Sequence, residues 1–423
     1  MTAGALTVVA PVRPERLAAL RGLLRELGGG ADASPVPFGD VPSLHFARWA
    51  LLPPPPGGGP TQLAFESNFE GPAEAHLAEL IEALGAHLAR VYDHCAGFAA
   101  GGPRPAAALA GYLRRRALRE AAFYVGVPGL TRALAENDRL VRRALDRAAD
   151  ELVRRGAVPR DPEDARRALL AALEEARDLT LGPADEVAPA PKRALLAAAL
   201  AAGGAALLPA LPVALPAALA LALALRWHEA RDAARPPAAP PPGEADDERL
   251  DELARREGAH AQSPLTHLVP VKEGLLRAFA VRASLAAIGL LGRHLYTQGR
   301  LGKLSSIHFA RWVLLPDRRL LFFSNYDGSW ESYLGDFVDK QSAGLTAIWS
   351  NTEGFPPASW LVRGGAKDEE AFKLWVRRHE LPTPVWYSAY PSLTLPDLLR
   401  NARLRAGAVD GGPPGAPAWL AEL

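Results

Sequence analysis

The sequence predicts an α+β fold in which one β-α-β-β-α-β unit occurs twice. The first observation is the pentapeptide His-Phe-Ala-Arg-Trp, which occurs at His45–Trp49 and again at His308–Trp312. Each time, Leu-Leu-Pro follows within four residues. The second observation is that shorter matching blocks extend the similarity over most of both halves of the chain. A repeat with so long a period indicates duplication of a whole domain and not a solenoid of small units.

The matching blocks keep the same order in both halves, and the spacing between them changes only where loops are expected. One such change is the Pro/Gly run at Pro53–Gly59, which the second copy lacks. The aligned blocks are Leu6–Val12 with Leu265–Val271, Ser67–Gly71 with Ser324–Gly328, Gly97-Phe98 with Gly354-Phe355, and Phe123–Thr131 with Trp386–Thr394.

Apolar patterning predicts the same elements in each copy. In the first copy these are strands at Leu6–Val12, Ser43–Leu52, Gln62–Phe69 and Phe123–Val127, and helices at Pro14–Leu27 and Ala73–Tyr92. In the second copy they are strands at Leu265–Val271, Ser306–Leu315, Leu320–Tyr326 and Val385–Tyr390, and helices at Glu273–Tyr296 and Trp330–Trp349. This order is the split βαβ, or ferredoxin-like, unit.

A ferredoxin-like sheet carries helices on one face and leaves the other face bare. Two such sheets are therefore expected to bury their bare faces against each other, as an intramolecular pseudo-dimeric barrel. This element order resembles the dimeric α+β barrel superfamily, which includes dye-decolourising peroxidases, chlorite dismutase-like haem proteins and small monooxygenases. The Gly-x-x-Asp-Gly signature of the peroxidases is absent, and Tyr326-Asp327-Gly328 is only a fragment of it. The resemblance thus implies this fold. It also makes haem binding and oxidoreductase chemistry expectations, but it assigns neither of them to particular residues.

The segment between the copies has no duplicate. Within it, Asp146–Arg177 is charged with a helical pattern, whereas Ala194–Leu225 carries no charged residue. Pro209, Pro212 and Pro216 are expected to break this apolar run into two arms, each too short to cross a bilayer. The predicted division is repeat 1 at 1–146, a helical insert at 147–260 with the apolar hairpin at 194–225, repeat 2 at 261–410, and a tail at 411–423.

Basic residues flank the apolar run on both sides, with Lys192 and Arg193 before it and Arg226 and Arg231 after it. Basic flanks mark the cytoplasmic side of a membrane segment, and two copies that meet cannot lie on opposite sides. We therefore expect a helical hairpin that enters and leaves the bilayer on its cytoplasmic face. A buried hairpin in a soluble protein and a single span are the alternatives. Pro236–Gly243 is then expected to be a stiff linker.

Two helices next to the insert complete this prediction. Ala245–Glu257 is expected to be a solvated charged helix. Leu275, Phe279 and Leu290 share Glu273–Gly299 with basic residues. That pattern fits a helix packed on its own sheet, and it also fits a basic amphipathic helix in the membrane interface.

Composition limits the function classes. The net charge is +1, which does not favour a broad nucleic-acid surface. Cys95 is the single cysteine, so an internal disulfide is excluded and a reducing compartment is expected. The first residues lack the basic stretch and apolar core of a signal peptide, so none is predicted. No Cys/His group has zinc spacing, so no metal site is predicted.

Polar residues present in both copies serve as an internal filter for a site, and the second copy has more polar and aromatic side chains around them. The predicted catalytic residues are therefore His308, Arg311, Asn325, Asp327 and Tyr387. His308 has two candidate roles, as an acid/base group or as a haem ligand. Strand alternation predicts that His308 and Trp312 share one face, and a cofactor-free enzyme would need a cavity lined by His308, Trp312 and Tyr387. The paired residues are His45/His308, Arg48/Arg311, Ser67/Ser324, Asn68/Asn325, Glu70/Asp327 and Tyr124/Tyr387.

The same residues also have a structural interpretation. Asp327 or Glu70 is expected to pair with the repeated arginine and to pin the β-hairpin, and Asp327-Gly328-Ser329 is expected to cap the following helix. Two functions therefore stay open. One is a membrane-associated oxidoreductase that acts on an apolar small molecule. The other is a non-catalytic, membrane-docked binding or scaffold protein in which the repeated motif is structural.

Overall fold

The protein is a mixed α+β molecule with antiparallel sheets. The computed structural model describes residues 3–29, 34–98, 106–174, 179–182, 211–234, 244–254, 257, 261–294, 304–409 and 415–423. Most of the predicted apolar hairpin, at 194–210, and the predicted linker at 236–243 lie outside the described residues.

The N-terminal half, residues 3–174, follows the predicted element order, with one extra helix and one short strand before its last predicted strand and two helices after it. Its elements are β1 (Ala3–Pro11), α1 (Leu17–Gly28), β2 (Leu44–Leu52), β3 (Gln62–Glu70), α2 (Ala73–Tyr92), α3 (Ala106–Arg116), β4 (Ala117–Leu118), β5 (Ala122–Val125), α4 (Arg132–Arg154) and α5 (Pro162–Glu174). The insert contributes α6 (Leu211–Ala233) and α7 (Glu244–Ala254).

The C-terminal half, residues 261–423, begins with the same β-α-β-β-α order and reaches its last strand after a short two-stranded hairpin and a further helix. Its elements are β6 (Gln262–Pro270), α8 (Leu275–His294), β7 (Ile307–Leu314), β8 (Arg319–Asp327), α9 (Trp330–Trp349), β9 (Ala358–Ser359), β10 (Arg363–Gly364), α10 (Glu369–His379), β11 (Val385–Ser388), α11 (Leu395–Ala406) and α12 (Ala416–Leu420). Each of the twelve strands and helices predicted from the repeat is present, with ends that differ by a few residues.

The two main sheets exchange strands. The first sheet has the order β11-β2-β3-β1-β4 and the second has the order β5-β7-β8-β6. β11 from the C-terminal half therefore pairs with β2, and β5 from the N-terminal half pairs with β7. Each half thus contributes an edge strand to the sheet of the other half, and the two halves cannot separate without breaking main-chain hydrogen bonds.

Helices cover the outer face of each sheet, and the inner faces meet. One core lies between the first sheet and α1, α2 and α3, and a second lies between the second sheet and α8, α9 and α10. A third, smaller core joins Leu52 and Ala64 to Leu268, Val313 and Leu321 across the sheets. The sheets keep separate hydrogen-bonded ladders throughout the described residues, so the expected barrel is not closed.

Helix α6 corrects the prediction that prolines break the apolar run within its described part. The described part of α6 runs from Leu211 through Pro216 to Ala233 as one helix. Pro216 has no amide N–H to donate, so one hydrogen bond of the helix is lost there. Pro216 therefore does not divide the described part of the apolar run.

Candidate functional site

A buried cluster of two arginines and one glutamate lies between the inner faces of the sheets. Arg48 Nε lies 2.6 Å from Glu66 Oε2, and Arg311 Nη2 lies 2.8 Å from Glu66 Oε1. All three side chains are at most 1% exposed. Burial lowers the pKa of Arg48 and of Arg311, and the neighbouring Glu66 carboxylate opposes that shift. One carboxylate is therefore shared by two guanidinium groups.

The two arginines also bind main-chain oxygens of the opposite half, in matching positions. Arg48 donates to Leu265 O at 2.9 Å and to Ser324 O at 3.0 Å. The equivalent bonds of Arg311 are those to Leu6 O at 2.9 Å and Ser67 O at 2.6 Å. Each arginine thus joins a strand of its own half to two strands of the other half. The expectation that Glu70 or Asp327 pairs with the arginine is wrong, because Glu66 stands directly opposite Arg48 in the β2–β3 register.

The paired asparagines meet beside this cluster. The side-chain amides of Asn68 and Asn325 approach each other to 3.0 Å, and both residues are fully buried. Asn325 Oδ1 also accepts hydrogen bonds from Arg48, at 2.5 Å, and from the indole N–H of Trp386, at 3.0 Å. Asn325 is therefore occupied by internal partners and faces Asn68 where the two halves meet.

The repeated histidines bind the repeated acids. His308 Nε2 lies 2.6 Å from Asp327 Oδ1, and Asp327 Oδ2 accepts the amide N–H of Leu395, the first residue of α11, at 2.6 Å. The N-terminal half repeats this arrangement more loosely: His45 Nε2 lies 3.3 Å from Glu70 Oε2, which accepts the first amide of α4, Arg132 N–H, at 3.0 Å. Each acid thus ties a strand histidine to a helix N-terminus, where negative charge is favourable.

Residue alternation fails at His308 because the strand is irregular there. The β7–β8 register shifts between Ile307 and Phe309, and the equivalent shift occurs in β2. The His308 ring lies 5.5 Å from the Phe46 ring of the other sheet. Trp312 instead packs in the core on the helix-covered face. Bulges redirect side chains in this way.

The paired serines hold the first turns of the long helices. Ser67 Oγ lies 2.9 Å from His76 Nε2 on α2, and Ser324 Oγ accepts the hydroxyl of Tyr333 on α9 at 2.8 Å. His76 also contacts Ser43 Oγ at 2.7 Å through Nδ1. Ser329 caps α9, as predicted, by accepting the amide N–H of Ser332. These serines therefore contribute to the packing of helix on sheet.

Tyr387 lies apart from the other predicted site residues. Its ring stacks on Phe38 at 5.3 Å and packs against the core of the first sheet. The structure therefore brings His308 and Asp327 together, and it places Asn325 and Arg311 in the central cluster. It does not form the expected cavity of His308, Trp312 and Tyr387.

The predicted haem ligand does not fit haem. His308 Nε2 is engaged by Asp327, and the ring lies among Phe46 and Tyr390 at ring distances of 5.5 and 6.0 Å. An axial ligand must present a free nitrogen to an open space. Within the part of the chain that the structure describes, no group of three or more His, Cys, Asp or Glu side chains could hold a metal ion.

A different histidine lines an internal cavity. His267 on β6 is 1% exposed, and the cavity beside it has a volume of about 20 Å³. Around it stand aromatic and aliphatic side chains of β8, α9 and α10, among them Trp349 and Trp375. The sequence alignment of the halves places Val8 at this position. A search for polar residues repeated in both halves therefore does not select His267. The sequence signal that could have identified it is a histidine in place of valine on a core strand.

The insert helix α6 forms an exposed apolar surface. Val213, Leu215, Leu219, Leu221 and Leu223 are between 47 and 77% exposed. Within the described residues, one helix is long and apolar enough to span a membrane, namely α8 over Leu275–Gly292, with 22% of that stretch buried. Its residues Leu275, Phe279 and Leu290 are also exposed.

Comparisons of the chain with protein families, with curated proteins and with solved structures gave no match.

Proposed function

We propose that this protein is a non-catalytic scaffold that docks on a membrane through α6. The observation that carries the proposal is that the sequence of α6 is apolar from Pro212 to Leu225, and that five of its large apolar side chains are exposed: Val213, Leu215, Leu219, Leu221 and Leu223. A helix that is apolar all round belongs in a protein core or in a bilayer. Exposed leucine side chains lose roughly 1.5–3 kcal/mol each relative to burial. Lipid is the environment that would recover that free energy.

The basic end of α6 is held firmly on the C-terminal half. Glu229 is 4% exposed and accepts the amides of Trp360 and Leu361, each at 2.8 Å. One turn further on, Asp232 lies 2.5 Å from Arg277 and 2.9 Å from Lys272. These contacts fix the last two turns of α6, so the apolar turns before them project from a rigid base.

Aromatic and basic side chains surround that base. Trp227 and Trp360 are 58% and 46% exposed. The guanidinium of Arg226 stacks over Trp360 and that of Arg231 stacks over Trp227, both at 5.3 Å. Tryptophan is enriched at membrane–water interfaces, and arginine there extends its charge toward the headgroups. These two tryptophans and two arginines therefore favour an anionic, cytoplasmic leaflet as the surface on which the protein docks.

The described apolar part of α6 is shorter than a bilayer is thick. From Leu211 to Leu225 it rises about 22 Å at 1.5 Å per residue, whereas the hydrocarbon core is about 30 Å thick. These turns alone therefore do not cross the bilayer. The apolar run at 194–210 is the expected other arm of a hairpin that returns to the same face.

For the fold, we propose that each half is a ferredoxin-like unit and that the pair derives from a pseudo-dimeric α+β barrel. The support is the shared element order together with the exchange of β5 and β11 between the sheets. The arginines that bind main-chain oxygens of the opposite half give the repeated motif a role in this assembly. A structural role for the motif favours the scaffold over an oxidoreductase.

Vesicle flotation of the full chain tests the docking. We expect binding to vesicles of phosphatidylcholine with phosphatidylglycerol, and weaker binding to phosphatidylcholine alone. The variant Leu219→Asp/Leu223→Asp should lose binding because two charges enter the apolar surface. The control Val153→Asp/Val158→Asp changes two equally exposed apolar residues elsewhere and should bind like the wild type. Full binding of the α6 variant, or no binding of the wild type to either vesicle, would overturn the proposal.

A further inference from the structure

His267 is a buried histidine whose two ring nitrogens have no hydrogen-bond partner. Aromatic rings surround it: its ring centroid lies 4.7 Å from that of Trp375, 5.0 Å from that of Trp349, and 5.7 Å from that of His379. Burial lowers the pKa of His267 well below its ordinary value, so the ring is neutral. A neutral imidazole offers one donor and one acceptor, and here both are unused.

Such a group is costly unless something binds it. A buried polar atom without a partner destabilises a protein by roughly 1–3 kcal/mol, and buried polar groups in native structures almost always have partners. The contrast within this protein is His76, whose two nitrogens are both bonded to serine hydroxyls. His267 therefore marks a position where a hydrogen-bonding molecule is expected.

The cavity at His267 disfavours water as that molecule. Its volume of about 20 Å³ is enough for one water molecule. An ordered buried water usually makes about three hydrogen bonds. The other lining residues are aliphatic or aromatic, and the hydroxyl of Tyr333 is already bonded to Ser324. A molecule with one polar group and an apolar body suits these surroundings better.

One wall of the cavity contains a break in its helix. Gln341 in α9 has non-helical torsion angles, φ −138° and ψ 19°. The break falls between Phe337 and Leu345, both of which line the cavity. The cavity of about 20 Å³ holds one water molecule, so a larger ligand requires these two side chains, on either side of the break, to move apart when it binds.

We propose that this cavity is a binding site for a small aromatic molecule with a single hydroxyl group, of the phenol class. The hydroxyl bonds to His267, and the ring packs among Trp349, Trp375 and Phe337, where edge-to-face contacts between rings are favourable. The assignment does not rest on membrane docking, because the cavity lies under α9 and α10 and involves no residue of α6.

The test compares two molecules of nearly equal shape, phenol and toluene, on the full chain without vesicles. Binding is measured by titration calorimetry and by the fluorescence of the cavity tryptophans. We expect phenol to bind wild type about tenfold more tightly than toluene, the effect of one hydrogen bond. His267→Val, which installs the residue of the other half, should remove that preference. The control His94→Val, at a surface histidine of the N-terminal half, should retain it.

A second variant protects the test against misfolding of the first. Leu345→Phe fills the cavity and leaves His267 in place, so it should weaken the binding of both molecules at least tenfold. Three results would overturn the proposal. They are no binding of either molecule to the wild type, the same preference for phenol over toluene in His267→Val as in the wild type, and unchanged binding of both molecules in Leu345→Phe. Circular dichroism of each variant confirms that it is folded.

Discussion

The two halves share their main strands and helices but differ in the polar groups that they bury. Arg48 and Arg311 occupy equivalent positions and make equivalent bonds to the opposite half. Their shared counter-ion, Glu66, has no equivalent, because the alignment places Phe323 at that position in the C-terminal half. Arg48 stacks over the Phe323 ring at 5.3 Å. One acid therefore serves both halves, and the cluster carries an excess of positive charge.

A similar difference separates the buried histidines. The N-terminal half buries His76 between two serines, and the C-terminal half has Tyr333 at the equivalent position with one serine. The C-terminal half instead buries His267 without partners where the N-terminal half has Val8. Residues kept in both halves thus build the frame, whereas residues present in one half are the better candidates for specialised chemistry.

The largest expected effect concerns the shared counter-ion. Glu66→Gln leaves two buried guanidinium groups without a carboxylate, so the free energy of unfolding should fall by about 3–5 kcal/mol. Urea denaturation measures it. The control Glu74→Gln removes the carboxylate of an exposed pair with Arg114 and should have no measurable effect. Equal stability of the two variants would show that the cluster does not need its acid.

The acids that bind the histidines should differ between the halves. Asp327→Asn weakens short bonds to His308 and to the first amide of α11, and should cost about 1–3 kcal/mol. Glu70→Gln acts on a longer contact, 3.3 Å to His45, at a carboxylate that is 14% exposed, and should cost less. Hydrogen exchange of the first turns of α11 and α4 resolves the two effects. A larger loss for Glu70→Gln would reverse this ranking.

A pH dependence is expected from Glu380 in the C-terminal half. Burial raises the pKa of Glu380 from 4.5 to about 8, although Arg377 opposes the shift. Between these pH values the folded protein keeps a proton that the unfolded chain has released. This contribution to stability is therefore complete below about pH 4.5 and is lost as the pH rises toward 8, by at most about 1.4 kcal/mol per unit.

Glu380→Gln should flatten that slope in denaturation series between pH 5 and pH 8. The exposed Glu369→Gln is the matched control and should keep the wild-type slope. An unchanged slope in Glu380→Gln would show that this carboxyl group is not the source.

The smallest expected effect is that of His267→Leu, because the change removes two unsatisfied polar atoms and fills apolar space. We expect a change below about 1.5 kcal/mol in either direction at pH 7. His76→Leu should cost more, because it leaves the hydroxyls of Ser43 and Ser67 without their partner. The His267 pKa is depressed, so the wild type loses stability as the pH falls below 6.5, and His267→Leu should lose less. Paired urea titrations at pH 5 and pH 7 distinguish these outcomes.

The sequence by itself showed the repeated pentapeptide, and it predicted the mixed α+β class, the twelve strands and helices and the cap before α9, because these depend on local patterns. It also showed that Ala194–Leu225 is apolar, since composition alone reveals that. The register of the β2–β3 hairpin could have identified Glu66 as the partner of Arg48. A search restricted to residues repeated in both halves excludes both Glu66 and His267.

Only the tertiary structure decided which sheet each edge strand joins, because β5 and β11 have the same local pattern beside either sheet. It also decided that the repeated arginines and asparagines bind across the two halves, whereas the repeated histidines bind acids of their own half. Strand exchange and burial are properties of contacts between distant segments. The local sequence around the side chains that make those contacts does not indicate their partners. For that reason the strands and helices could be predicted from the sequence, whereas the contacts between buried polar side chains could not.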